Sequence, residues 1–234
     1  MHASLIVVVA TFAWFGPVQP TSRALAAGGL VAALGFNEGS GSSAADASGN
    51  GNVGAIGTAS WSTQGKFGNA LSFNGTTAKV TVADSASLRL TSGMTVEAWV
   101  FPTAVTNTWR DVVVKGNDDY YLMATSTNSS RPVGAGIFGG TKSRAIGPAA
   151  LAPNTWTHLA TTYDGSLVRL YVNGVQVSSA AASGSITSST RVLGIGGDPI
   201  YGQYFAGRID EVRIYNVPLS AAQIQTDMTT PIGP

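Results

Sequence analysis

The sequence predicts an all-β fold: an antiparallel β-sandwich of jelly-roll type, with one short C-terminal helix. Three observations predict it. From Leu30 onward, runs alternating apolar and polar residues recur, among them "LVAALGF", "MTVEAWV", "WTHLATTY", "VRLYV" and "RIDEVRIY". A period of two is the mark of half-buried strands. Gly, Asn, Ser and Thr clusters separate the runs, and no long 3.6-residue period interrupts them, so many short strands must cover one another in two packed sheets.

The elements follow in order. Leu5 to Phe15, "LIVVVATFAWF", is an apolar run of signal-peptide length, followed by the small-residue site "ALA" at Ala24–Ala26. Residues 1–26 therefore read as a signal peptide and the protein as secreted or extracellular. The run is shorter than the roughly 20 residues a membrane-spanning helix needs, so no membrane span is expected in the mature chain. Its removal takes one cation, Arg23, from 13 basic and 12 acidic residues, leaving a neutral chain. That balance argues against nucleic acid or an anionic membrane as partner. The chain has no cysteine, so an exported form is held by core burial without disulfides.

Within the strand region, "YVNGVQV" is the clearest local signal. Asn173-Gly174 suits a type I′ two-residue hairpin that pairs Tyr171 and Val172 with Val175 and Gln176. Ser220 and Gln223 form an S-x-x-Q capping box that opens the helix "SAAQIQTDM". No internal boundary is visible, so residues 28–228 read as one domain and 229–234 as a tail or the start of a linker.

The ordered set "GLVAALGFNEGSG", "DASGNGN", "GKFGNALSFNG", "MTVEAWV", "NTWTHLATTYDG", "LYVNGVQV" and "GRIDEVRIYN" resembles a bacterial laminin-G-like domain of the concanavalin A-like lectin/glucanase superfamily. The resemblance implies a carbohydrate-binding, adhesion or accessory module of secreted proteins, often with one calcium ion.

Calcium takes 6–8 oxygens from carboxylates, Asn side chains, carbonyls and water. In "ADASGNGNVG", Gly49 and Gly51 allow φ > 0, so the loop can turn oxygens towards one point. Asp46, Asn50 and Asn52 are the candidate ligands there, and Glu38 a possible addition. The family pattern adds Asp210 in "RIDEV" as the second carboxylate. A plain Asx turn around Asp46 is the competing reading.

The same superfamily includes glycosidases, whose paired carboxylates usually come from one strand as E-x-D-x-E. Retaining enzymes need them about 5–5.5 Å apart. Here Asp210 and Glu211 are adjacent, which on a regular strand sends them to opposite faces, and Glu97 stands alone on its strand. After the signal segment there is one histidine, His158, which reads as a packed strand residue rather than part of a Ser-His-Asp arrangement. A lyase using Tyr120, Tyr121 or Arg110 has no supporting spacing. No catalytic residue is assigned, and a small secreted glycoside hydrolase or lyase remains the alternative to a binding module.

Sugars stack C–H faces on aromatic rings and bond through hydroxyls to polar side chains. Two segments carry aromatics beside such groups. "NTWRD" with "NDDYY" offers Trp109, Arg110 and Tyr121, and "GGDPIYGQYF" offers Tyr201 in a Gly/Pro loop. Trp99, Trp156 and Phe205 are read as core, and Trp61 as packing at a sheet edge. The expected partner is a polysaccharide or glycan.

Overall fold

The computed structural model describes residues 29–233. The expectation of a signal peptide over residues 1–26 lies outside them. The chain builds two eight-stranded antiparallel sheets. In sheet I the order is Val175–Ala181, Leu167–Val172, Thr157–Tyr163, Met94–Pro102, Ala206–Tyr215, Ala70–Asn74 and Ser60–Ser62. Leu30–Leu34 also pairs with Ala206–Tyr215, matching Leu30 with Tyr215 and Leu34 with Val212. Sheet II runs Thr141–Ile146, Val133–Phe138, Tyr120–Thr125, Arg110–Lys115, Leu193–Ile195, Val80–Val82, Gly54–Ile56 and Ser43–Ala44. A small hairpin, Gly197–Asp198 with Gln203–Tyr204, forms a third sheet.

Alternation decides what each sheet buries. Met94, Val96, Ala98 and Val100 of one central strand, with Ile209 and Ile214 of its neighbour, enter the core shared with Tyr120, Leu122 and Val113 of sheet II. Residues in between face outward. On sheet I these include Glu97, Trp99, Asp210 and Arg213, aligned as Trp99 with Asp210 and Glu97 with Arg213. The helix Ala221–Thr229 covers this face: Tyr215 Oη donates to Asp227 at 2.7 Å and Trp99 Nε1 to the Met228 carbonyl at 3.2 Å. Trp99 is thus buried outside the main core, Phe205 lies within it, and Trp156 is only half-buried against Phe101.

The hairpin and the capping box form as the sequence predicts. Tyr171 pairs with Gln176 and Val172 with Val175, with Asn173 at φ 49° and Gly174 at φ 75°. The Ser220 side chain accepts from Gln223 N–H, while the Gln223 side chain accepts from Ser220 N–H.

Two expectations need correction. The chain after residue 228 is not a loose tail as far as Ile232. The helix continues to Thr229, Ile232 is buried, and its N–H donates to Glu211 Oε2 at 2.7 Å. Asp210 and Glu211 also fail to diverge as they would on a regular strand. A bulge between Asp210 and Arg213 gives Glu211 φ 56°, and the extra residue breaks the two-residue alternation. The Glu211 carboxylate instead meets the Arg213 guanidinium at 3.0 Å, on the face Arg213 shares with Glu97 and Asp210.

Candidate functional site

The outer face of sheet II is covered in part by the Gly197–Tyr204 hairpin, and its apolar side chains are buried. Tyr121 and Met123 alternate with core-facing Tyr120 and Leu122 and point outward, where they form a second apolar patch with Val114, Val133 and Ala135. Trp109 packs against this patch from the loop before the Arg110–Lys115 strand. The Gly197–Tyr204 hairpin lies over the same face and brings Tyr201 to it. The result is a groove of ≈ 190 Å³ lined by Trp109, Tyr121, Tyr201, Met123, Gln203, Asp118, Lys142 and Arg144. A second hollow of ≈ 390 Å³, including Val114, Lys79, Arg191 and Asp198, adjoins it across the hairpin.

Three of the four predicted ligand-binding residues therefore share one groove, although they come from three separate segments. Arg110 does not join them. Its Nη1 donates to the Gly75 carbonyl at 2.8 Å and the Tyr204 carbonyl at 2.6 Å, fastening the hairpin to the sheet.

Sequence reasoning missed Lys142 and Arg144. They sit two apart on the strand after the Gly139-Gly140 turn and so share a face, a signal that was present in "TKSR". Arg144 Nε donates to Tyr121 Oη at 2.9 Å, and its guanidinium lies 5.2 Å from the Trp109 ring centroid. Burial pushes the Tyr121 hydroxyl up to about 12, against the pull of Arg144, so it stays a neutral phenol that accepts from Arg144. Lys142 Nζ pairs with Asp118 at 2.5 Å.

Beneath the hairpin lies Asp111, fully buried, with no hydrogen-bond partner on either oxygen. Burial raises its carboxyl well above the usual range, and the neighbouring Asp198 and Asp118 add to that. Burial also raises Asp198, whose Oδ1 accepts from Ile200 N–H at 2.6 Å.

Each of the residues expected to hold calcium is engaged by hydrogen bonds within the protein. Asp46 Oδ1 accepts from the N–H groups of Ala33 and Ser48, and Oδ2 from Asn52 N–H and Ser48 Oγ. These four donors occupy the carboxylate. Asn52 is buried, its Nδ2 donating to the Val31 carbonyl and Ser87 Oγ and its Oδ1 accepting from Ser85 Oγ. Asn50 Nδ2 donates to the Leu30 carbonyl and Ser48 Oγ. Asp210 shares no partner with Asp46: it accepts from the N–H groups of Lys66 and Phe67 at 2.8 and 3.0 Å. Glu38 Oε1 is taken by Ala45 N–H. Among the described residues, no three His, Cys, Asp or Glu side chains are placed to hold a metal. The loop's geometry is that of an Asx turn.

The remaining acid and imidazole groups lie away from the groove. Glu97 and His158 are fully buried on the outer face of sheet I, 3.9 Å apart, with His158 edge-to-face on Trp99. Burial lowers the His158 imidazole to about 3 and raises Glu97. No helix among the described residues is long and apolar enough to cross a membrane.

A two-sheet sandwich with an aromatic-lined groove on one outer face belongs to the class of lectin-like β-sandwiches. The family profile described as Concanavalin A-like lectin/glucanases superfamily, of laminin-G type, matches residues 74–225, and the chain belongs to that family. Pappalysin-1 of Mus musculus is 36% identical over 83 residues, which is 33% of this chain and 5% of pappalysin-1. The Homo sapiens protein is 34% identical over the same length, again 5% of its own chain. Domain 4 of AbnA, a GH43 extracellular arabinanase from Geobacillus stearothermophilus in complex with arabinotriose, superposes with a TM-score of 0.64 at 23% identity, covering 86% of this chain and 98% of that domain. The binding domain of Paraclostridial Mosquitocidal Protein 1 gives 0.68 at 17% identity, over 86% of this chain and 52% of that one. At these identities the structural likeness establishes the fold.

Proposed function

We propose that this chain is a secreted, non-catalytic carbohydrate-binding module whose glycan lies across the groove on sheet II. The observation that carries the reading is the convergence of Trp109, Tyr121 and Tyr201, from three segments, on one groove with Gln203, Asp118, Lys142 and Arg144. Two aromatic rims and a set of hydrogen-bonding side chains match the C–H faces and hydroxyls of a sugar. The complex of AbnA domain 4 with arabinotriose shows that a domain of this fold can hold an oligosaccharide. Non-catalytic action is supported by the carboxylates themselves. Asp111 is sealed, Asp118 is ion-paired, and Glu97, Asp210 and Glu211 are buried on the other sheet. Export is supported by the apolar run and "ALA" site within residues 1–26.

A glycan array followed by calorimetry on the best ligand tests the groove. Trp109→Ala and Tyr201→Ala should each weaken binding about tenfold, the loss of one stacking contact. Affinity unchanged in both variants would place the glycan elsewhere.

A further inference from the structure

We propose that the groove selects anionic glycans, those bearing a uronate carboxylate or a sulfate ester, over neutral ones; the proposal rests on the glycan-binding reading above. The two adjoining hollows are lined by four cations, Lys79, Arg191, Lys142 and Arg144, against two acids, Asp118 and Asp198, both largely buried. This excess stands out on a chain whose basic and acidic residues are nearly equal in number. Among the described residues, ion pairs engage Lys142 but not Lys79, Arg191 or Arg144.

Arg144 carries the argument furthest. Its Nε donates to Tyr121 Oη at 2.9 Å and its guanidinium carbon sits 5.2 Å from the Trp109 ring centroid, so the side chain is oriented before any ligand arrives. The edge turned away from Tyr121 presents the guanidinium's terminal N–H groups. A guanidinium fork matches the two oxygens of a carboxylate or sulfate, and charge-assisted bonds of this kind are about twice as strong as neutral ones. Immobilising a flexible side chain in advance also lowers the entropy lost on binding. A neutral sugar needs no such group, because amide and hydroxyl partners satisfy its hydroxyls. Lys79 and Arg191, in the next hollow, extend the positive track to a second residue of the same chain of sugars.

The test compares oligogalacturonides, sulfated galactan oligosaccharides and neutral arabino-oligosaccharides of equal length by calorimetry at two salt concentrations. The expected result is affinity for at least one anionic series about tenfold or more above the neutral series, falling as sodium chloride rises. The two anionic arms separate carboxylate from sulfate recognition. Arg144→Gln should bring the anionic-to-neutral ratio close to one, and Arg191→Gln should lower it for longer oligomers only. Arg144 is exposed on an edge strand, and a melting curve confirms that the variant folds. Neutral oligomers bound as tightly as anionic ones, with no effect of salt or Arg144→Gln, would overturn the anionic preference while leaving the groove reading intact. Failure of all three series to bind would overturn the groove reading instead.

Discussion

Asp111 is a carboxylate enclosed on all sides beneath the Gly197–Tyr204 hairpin, with neither oxygen partnered. Its ionised form is costly there, because burial removes water and Asp198 and Asp118 repel the charge. Asp111→Asn removes that charge and supplies an amide donor. The melting temperature should rise, and by more at pH 8 than at pH 5, because a raised carboxyl is ionised more fully at the higher pH; calorimetry at the two values checks it. Asp46 is the opposite case, since three backbone N–H groups depend on it. Asp46→Ala should destabilise by about 1–3 kcal/mol, read by urea denaturation. The place of Trp109 and Tyr201 on the groove was legible because they stand in Asn-, Gly- and Pro-rich segments. Arg110 was not: a long side chain's destination is set by which carbonyls lie within reach, and Gly75 and Tyr204 are remote in sequence.

The loop Asp46–Asn52 explains itself at the level of elements. The strand Leu30–Leu34 has a partner on one side only. On its free edge, Asp46 takes Ala33 N–H, Ala47 N–H donates to the Ala33 carbonyl, Ser48 Oγ and Asn52 bond the Val31 carbonyl, and Asn50 bonds that of Leu30. Side chains stand in for a missing neighbour strand and block pairing with another chain. The sequence displayed the turn chemistry but not its target, which is a contact across the fold. Strands, hairpin and helix were legible from local periodicity and capping. The bulge at Glu211 was not, because a non-glycine at φ 56° carries no local signature. Neither was the seat of Ile232, since one isoleucine in "TTPIGP" has no period. Ile232→Ala should cost about 2–4 kcal/mol, more than the roughly 1 kcal/mol for Ser220→Ala at the helix cap. Thermal melts of both variants rank the two.

Across the whole molecule, buried acids set the pH response. Burial pushes Asp210 and Glu211 up to about 7 and raises Glu97 and Asp111 as well. Each binds its proton more tightly folded than unfolded, so the folded state holds more protons and stability falls as pH rises from about 4 to 7. His158, held neutral down to about 3, works against this: its contribution is lost as pH falls below the ordinary 6.5. Four carboxyls outweigh one imidazole, and the melting temperature should be several degrees higher at pH 5 than at pH 8, at roughly 2–4 °C per kcal/mol. Below pH 4 the order reverses, because the arginines beside Asp84 and Asp164 hold those carboxyls below the usual range.

The seat of Ile232 also governs how the domain bears tension. The described chain starts at Gly29, beside Asn216, and Ile232 packs on Gly35 at the far end of the same strand. If the helix and the residues after it came loose, a pull between the two ends would act on Leu30 and Tyr215 at one end of their ladder and unzip it bond by bond. With Ile232 docked, the same pull runs lengthwise along Leu30–Leu34 and loads the whole ladder at once, in shear. The helix with the short segment after it is therefore a clasp: it decides whether the domain under tension opens like a zipper or resists like a lap joint.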